Sequence, residues 1–253
     1  MRRGGQPSGV LDAELTIRLP ADGTTLGQDE EWCEVGQDGS WRRIRFHDYG
    51  DIYAVPGLYE RLFHDLLRCT SPETVVGQLA ECLAEDGADP AALRGLDLGA
   101  GNGLVGAELR AAGIGELIGI DIVPEAGTAA QRDRPGVYSA YHVCDLLQPS
   151  PEAARSLDSE PFDVLACVAA LGFGDIPPPV FARGLELVRP GGWVALTIKE
   201  SFLEADEPSG FARFLGDLER AGELEVLRRH RYLHRLTVAG EPLHYVAMVA
   251  RKR

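Results

Sequence analysis

The chain has 253 residues, 45% hydrophobic and 25% charged, which suits one large α/β domain or one domain with an appendage. Its net charge of −14 repels a nucleic-acid partner unless a local basic surface overcomes the field. No run approaches the roughly 20 apolar residues of a membrane span, and MRRGGQPSGV at the start lacks the apolar core of a signal peptide. Cys33, Cys69, Cys82, Cys144 and Cys167 are scattered and never in CxxC spacing, and the six histidines make no HExxH. The expectation is a cytoplasmic protein with reduced thiols and no metal site.

Residues 1–12 are unpatterned and read as a loose arm. Residues 15–19 alternate like a short strand. Residues 31–37 and 40–46 flank Asp38-Gly39, a two-residue hairpin signal. Pairing about that turn puts Cys33, Val35, Ile44 and Phe46 on one face. Trp32, Glu34, Trp41, Arg43 and Arg45 fall on the other, with Glu34 opposite Arg43. The plain reading of the outer face is cross-strand cation–π contact. The alternative is a lid, or a contact through which the chain forms a homodimer.

From Tyr49 the pattern turns helical. Pro56-Gly57 starts a helix with Leu58, Leu62, Phe63, Leu66 and Leu67 on one stripe. Ser71-Pro72 reads as N-cap and first helical residue of a second helix, whose stripe is Val75, Val76, Leu79, Cys82 and Leu83.

The most informative stretch is GLDLGAGNGLVGAELRAAGIGELIGID, residues 95–121. It reads as strand, glycine turn, helix and strand: one βαβ unit. Leu96 and Leu98 lie in the first strand, which carries the acid Asp97. Gly99, Gly101 and Gly103 follow at alternate positions, where a ligand can approach backbone that has no Cβ. Gly113 stops the helix. The second strand delivers Asp121 at its carboxyl end, where parallel sheets bind ligands. Residues 101–106 also fit GxGxxG, the dinucleotide fingerprint. The acid ahead of the loop argues against that reading, because Asp97 would repel a pyrophosphate but suits a ligand carrying an amine and a sulfonium.

This acid-x-G-x-G-x-G pattern resembles the first motif of the Rossmann-like (class I) S-adenosylmethionine-dependent methyltransferases, small-molecule type. The resemblance implies that Asp97, Gly99, Ala100, Gly101, Asn102 and Gly103 follow the methionine part of S-adenosylmethionine. It implies also that Asp121 holds the ribose and that Ile122 packs on the adenine. The two helices before the loop resemble the cap of that family, which makes Tyr53 and Tyr59 candidates to close over the cofactor or the substrate.

Beyond Asp121, Pro124 opens a short helix and residues 137–143 make the third strand. By the same resemblance Asp145 and the Leu146 backbone read the adenine. Residues 148–160 look like a polar connection. Residues 162–167 form an apolar fourth strand fit for burial on both faces. It empties into VAALGFGD, where Val168 and its small neighbours offer backbone carbonyls to the methionine amine. That segment departs from the Asn/Asp-Pro-Pro-Tyr of the enzymes that methylate DNA bases. Pro177–Pro179 precede a helix ending near Val188, and Arg189-Pro-Gly-Gly-Trp193 is a tight turn before the fifth strand, 194–198. Residues 211–221 form the last helix. Residues 224–236 and 243–250 alternate around Ala239-Gly240 as an antiparallel hairpin, and its Arg228, Arg229, Arg231 and Arg235 read as a solvated edge.

The expected fold is α/β: a doubly wound, mostly parallel seven-stranded sheet closed by a C-terminal antiparallel hairpin, with an N-terminal β-hairpin and a helical cap. Residues 1–48 are arm and hairpin, and 49–253 the methyltransferase domain (cap 49–90, core 91–253). The expected activity is methylation of a small organic molecule on oxygen or nitrogen, with no nucleic-acid or membrane partner. The alternatives are an NAD(P)-dependent oxidoreductase or an inactive cofactor-binding protein. No spacing singles out a base; Glu200, His64 and His142 stand at plausible edges, with Asp175 further off.

Overall fold

The computed structural model describes residues 15–21, 24, 26–37, 39–204 and 207–253. The arm over 1–12 and the turn residue Asp38 lie outside the described residues.

Three strands, β1 (Thr16–Arg18), β2 (Trp32–Gln37) and β3 (Ser40–Arg45), make a small antiparallel sheet in that order. Its two faces separate as the alternation requires. Cys33, Val35, Ile44 and Phe46 are buried in one core with Ile52, Leu58, Leu62 and Leu67. On the outer face Glu34 pairs with Arg43, the Arg43 guanidinium lies 3.7 Å from the Trp32 ring centre, and that of Arg18 lies 3.5 Å from Trp41. Both tryptophans therefore stack on arginines of their own sheet.

Three helical segments follow. Helix α1 (Tyr49–Ala54) precedes Pro56-Gly57 and was not evident as a separate element in the sequence. The helix started by that pair is π-wound over Glu60–Leu66: the Leu67 N–H donates to the Leu62 carbonyl five residues back. Leu58, Leu62, Phe63 and Leu67 are buried as the stripe demands, whereas Leu66 is only partly so. Helix α2 (Ser71–Asp86) buries Val75, Val76, Leu79, Cys82 and Leu83. The expected cap residue is corrected here. Thr70 occupies the N-cap, and Ser71 is inside the helix with its hydroxyl bonded to Tyr232 (2.5 Å) and His234 (2.6 Å). That side chain ties α2 to the C-terminal hairpin instead of closing the helix end.

The main sheet has seven strands: β4 (Arg94–Leu98), β5 (Glu116–Asp121), β6 (Ala140–Val143), β7 (Phe162–Cys167), β8 (Val188–Lys199), β9 (Leu224–Leu236) and β10 (Pro242–Lys252). Their order is β6-β5-β4-β7-β8-β10-β9. The first five are parallel, and β10 lies antiparallel between β8 and β9. This is the expected doubly wound sheet with its last strand inserted before the sixth. Parallel strands must be covered on both faces. Helices α5 (Pro151–Leu157), α6 (Pro178–Glu186) and α7 (Phe211–Arg220) supply one cover, with Phe162, Phe181 and Phe211 fully buried beneath them. Helices α2 and α3 (Leu104–Ala111) supply the other. Helix α4 (Pro124–Asp133) packs on α1. Each fully buried Leu or Phe contributes about 1.5–3 kcal/mol.

Helix α5 lies where a polar connection was expected. Ser150 caps it by accepting from the Ala153 N–H, Pro151 starts it, and it buries only Ala153 and Leu157, too few to leave a periodic signal. The third strand is also shorter than expected, beginning at Ala140. No helix of the described residues is long and apolar enough to cross a membrane.

Candidate active site

The carboxyl ends of β4, β5, β6 and β7 open into a cleft with about 840 Å³ of empty space, part of it open to solvent. Tyr53, Tyr59, Gly99, Asp121, Ile122, Asp145, Leu146 and Val168 all stand in its wall. Of the residues singled out in the sequence, these eight are brought together. Asp97, Ala100, Gly101, Asn102 and Gly103 are behind or beneath that wall.

The glycine loop explains the division. Gly99, Gly101 and Gly103 all take positive φ, between 52° and 86°. A Cβ on Gly101 would collide with the Tyr53 hydroxyl, so the roof tyrosine rests directly on the loop. The Gly101 N–H donates to Asp121 Oδ2 at 2.9 Å, and its carbonyl accepts from the Tyr141 hydroxyl at 2.7 Å. Asp121 Oδ1 accepts from the Val123 N–H, also at 2.9 Å. Both carboxylate oxygens are thus oriented by backbone, and each keeps a second lone pair for a ligand. Burial raises the Asp121 pKa against the pull of those N–H donors.

Asp97 does not line the cleft. It is 1% exposed and accepts from the Tyr138 hydroxyl at 2.6 Å through Oδ2, while Oδ1 has no partner. Burial pushes its pKa up to about 7, opposed by the Tyr138 hydrogen bond and helped by the charge of Asp121. Asn102 turns its side chain to Glu60 (2.7 Å), which also pairs with Arg134 (2.8 Å). A single carboxylate therefore latches the π-wound roof segment to the loop and to the chain after α4. Nothing in the spacing of the sequence announces that latch.

The loop after β7 is the strained part of the site. Ala169 and Phe173 adopt φ of 55° and 52°, which cost energy for residues with a Cβ and persist only when surroundings enforce them. Thr197, buried on β8, accepts from the Ala169 N–H at 2.7 Å. Phe173 is packed between His47 and Phe202, with ring centres 5.2 and 4.8 Å away.

The three favoured base positions do not reach the cleft. Glu200 is exposed and paired with Arg231 at 2.7 Å, which lowers its pKa. His142 and His64 are absent from the wall, and each leaves Nε2 buried without a partner. Asp175, ranked behind them, lines the cleft. Its Oδ2 is 3.1 Å from Nδ1 of His47, a residue the sequence reading passed over because 128 positions separate the pair. The basic C-terminal hairpin is neutralised locally. Arg228 pairs with Glu81 and Glu85, Arg229 with Glu219, Arg231 with Glu200, and Arg235 with Glu31.

Comparison with known proteins adds four likenesses. Residues 96–196 match the family model of a methyltransferase domain. Methyltransferase-like protein 27 of Homo sapiens is 36% identical over 135 residues, 52% of this chain and 51% of that protein, so the chain spans about half the length of this relative. The N-methyltransferase NodS of Bradyrhizobium japonicum, solved with S-adenosyl-L-homocysteine, is similar at a TM-score of 0.54 and 15% identity, over 82% of this chain and 97% of that one. Magnesium protoporphyrin IX methyltransferase of Synechocystis, solved with bound S-adenosylmethionine, gives a TM-score of 0.50 and 18% identity, over 72% and 79%. At these identities the two structures share the fold.

Proposed function

We propose that this chain, whose residues 96–196 match the family model of a methyltransferase domain, is a class I, S-adenosylmethionine-dependent methyltransferase that methylates a small organic molecule on oxygen or nitrogen. One observation carries the choice of ligand. Among the described residues the cleft wall holds three carboxylates, Asp121, Asp145 and Asp175, and no Lys or Arg. Such a wall favours a ligand bearing sulfonium and ammonium charges and disfavours the pyrophosphate of a dinucleotide.

In this reading Asp121 accepts from the ribose hydroxyls. Ile122, an apolar side chain left 64% exposed beside the cleft, is a flat surface for the adenine. Asp145 accepts from the exocyclic amine and the Leu146 backbone donates to the ring. Val168 and the backbone around it receive the methionine amine, alongside the loop from Asp97 to Gly103. Tyr53 and Tyr59 cover the ligand from above. When bound, the cofactor supplies a methyl group on a sulfonium, and holding an acceptor in line with it supplies most of the rate. A small acceptor is supported by the roof formed over Tyr49–Ala54 and by the ion pairing of the C-terminal arginines. The working partner is therefore a small molecule, with neither nucleic acid nor membrane engaged, in a cytoplasmic enzyme.

Calorimetry decides the reading. S-adenosylmethionine and its demethylated product should bind saturably. Saturable NAD binding without either signal would overturn it, and label transfer to RNA or protein alone would overturn the small-molecule part.

A further inference from the structure

The strained loop after β7 folds back on itself and delivers one carboxylate to the cleft. Gly172, Phe173 and Gly174 all take positive φ. The Asp175 N–H donates to the Gly172 carbonyl at 3.0 Å, and the Ile176 N–H to that of Ala170 at 3.2 Å. Strain of this kind clusters at binding sites, where the surroundings enforce it. Asp175 lines the cleft with its side chain 28% exposed, and His47 Nδ1 stands 3.1 Å from its Oδ2. No hydrogen bond among the described residues uses Oδ1, so one oxygen is held and the other is open to a ligand. Beside it Tyr49, Tyr53 and Tyr59 form a row of rings, with centres 6.0 and 5.5 Å apart and planes tilted by 22° and 26°. Burial raises the pKa of all three phenols, so the rings stay neutral, and the charge of Asp175 adds to the rise at Tyr49. The hollow behind Tyr49 and Asp175, where His47 lies, offers about 40 Å³. That is room for water, which needs roughly 10–15 Å³, and not for an organic acceptor. An acceptor must therefore meet Asp175 from the cleft side.

We propose that the methyl acceptor is a small primary or secondary amine, seated in the cleft against the Tyr49 ring with its nitrogen on Asp175 Oδ1, and that Asp175 selects it over hydroxyl and carboxyl acceptors. The proposal rests on the methyltransferase reading and adds to it the accepting atom and the residue that chooses it. Three features support it. In that reading the ribose engages Asp121 and the adenine engages Asp145, which leaves Asp175 as the wall carboxylate without a cofactor group. Among the described residues the wall offers no Lys or Arg to hold a phenolate, carboxylate or phosphate, and Asp175 repels all three. Arg235 borders only the small hollow behind, where Glu31 already neutralises it. Tyrosine rings beside a carboxylate, by contrast, attract an ammonium group.

Before the step, the ammonium form of the acceptor gives one proton to water. The nitrogen lone pair then forms a bond to the methyl carbon, and the carbon–sulfur bond breaks with its electron pair kept by sulfur. The products are a methylated ammonium and the demethylated thioether. Positive charge thus moves from sulfur to nitrogen during the step. A carboxylate already aimed at that nitrogen is bound more strongly as the charge grows, which lowers the barrier. His47, protonated at Nδ1, donates to Oδ2 and is a positioning residue that keeps Oδ1 turned to the cleft.

The test uses the whole chain and three probes of one shape: benzylamine, benzyl alcohol and benzoate. On protein saturated with S-adenosylhomocysteine, calorimetry should find benzylamine bound about tenfold or more tighter than benzyl alcohol, with benzoate weakest. D175N still accepts from His47 but carries no charge. Shown folded by circular dichroism, it should bind benzylamine about tenfold or more weaker, with benzyl alcohol and S-adenosylhomocysteine within about threefold. A general loosening of the loop would not produce that split. With methyl-labelled cofactor and a panel of small amines, phenols and carboxylic acids, the wild type should place the label on nitrogen. D175N should lose about tenfold or more in kcat/KM for those amines. Label on oxygen alone, no label on any amine by a wild type that binds the cofactor, or unchanged benzylamine affinity in folded D175N would overturn the proposal. If D175N does not fold, the wild-type ranking decides, and benzyl alcohol or benzoate bound as tightly as benzylamine overturns it. Failure of the wild type to bind the cofactor would overturn the methyltransferase reading and take this inference with it.

Discussion

At the scale of the residue, the two acids of the βαβ unit have diverged in role. Asp121 faces the cleft with both oxygens aimed by backbone donors. Asp121→Ala should remove charge-assisted bonds to the ribose, costing about 1.5–3 kcal/mol, or roughly 10- to 150-fold in calorimetric affinity. Asp97 is instead a buried acid whose pKa rises to about 7. The folded state then holds a proton that the unfolded chain releases near pH 4. Its contribution to stability is complete below that value and is lost as pH rises to about 7, by at most ~1.4 kcal/mol per pH unit. Asp97→Asn cannot ionise, so urea denaturation should find it gaining on the wild type between pH 5 and pH 7.5. Both acids were visible in the sequence because each stands at or next to the carboxyl end of a short apolar strand. Asp97's orientation was not, because it depends on Tyr138, which arrives from 41 positions away.

At the scale of the element, strands and the glycine loop were legible where a buried run or a forced positive φ left a mark. Helix α5 was not, because it buries only two side chains. The π-wound segment was read as an ordinary helix, since its winding follows from tertiary contacts and not from its stripe. The His47–Asp175 pair was equally silent, being made only when the loop after β7 meets the turn after β3. One element-scale contact invites a direct test. Arg235 near the end of β9 and Glu31 at the start of β2 form a buried ion pair, and Glu31 also accepts from the Val238 N–H at 2.6 Å. Glu31→Gln should cost about 3–5 kcal/mol by leaving the guanidinium unpaired, and adding Arg235→Met should recover much of that loss. A double-mutant cycle by chemical denaturation would expose additivity, the result expected if the pair does not join the two sheets.

At the scale of the whole molecule, the small sheet and the roof share a core. Cys33, Val35 and Ile44 pack with Ile52, Leu58 and Leu62, all at most 3% exposed. Removing residues 1–45 forfeits about 1.5–3 kcal/mol for each of the three lost side chains, a large share of a domain's ~5–15 kcal/mol margin. The shortened chain should therefore melt well below the full one and lose transfer along with the wall beside His47. In the full chain the two sheets should unfold together. Variants keeping only Trp32 or only Trp193 should give coincident fluorescence midpoints, and separate transitions would show two independent bodies.

The placement of β10 has a consequence for how the chain is made. It is the last strand in the chain, yet it lies between β8 and β9. Throughout synthesis β8 must wait with one edge bare, and β9 emerges with no partner to receive it. Only when β10 has left the ribosome can the sheet be completed, by a strand threading between two already present. Nascent chains stalled before β10 should thus be recognised by chaperones and cut readily by proteases. A nonsense or frameshift lesion ahead of Pro242 would then act by starving the cell of protein, with the cleft residues themselves untouched.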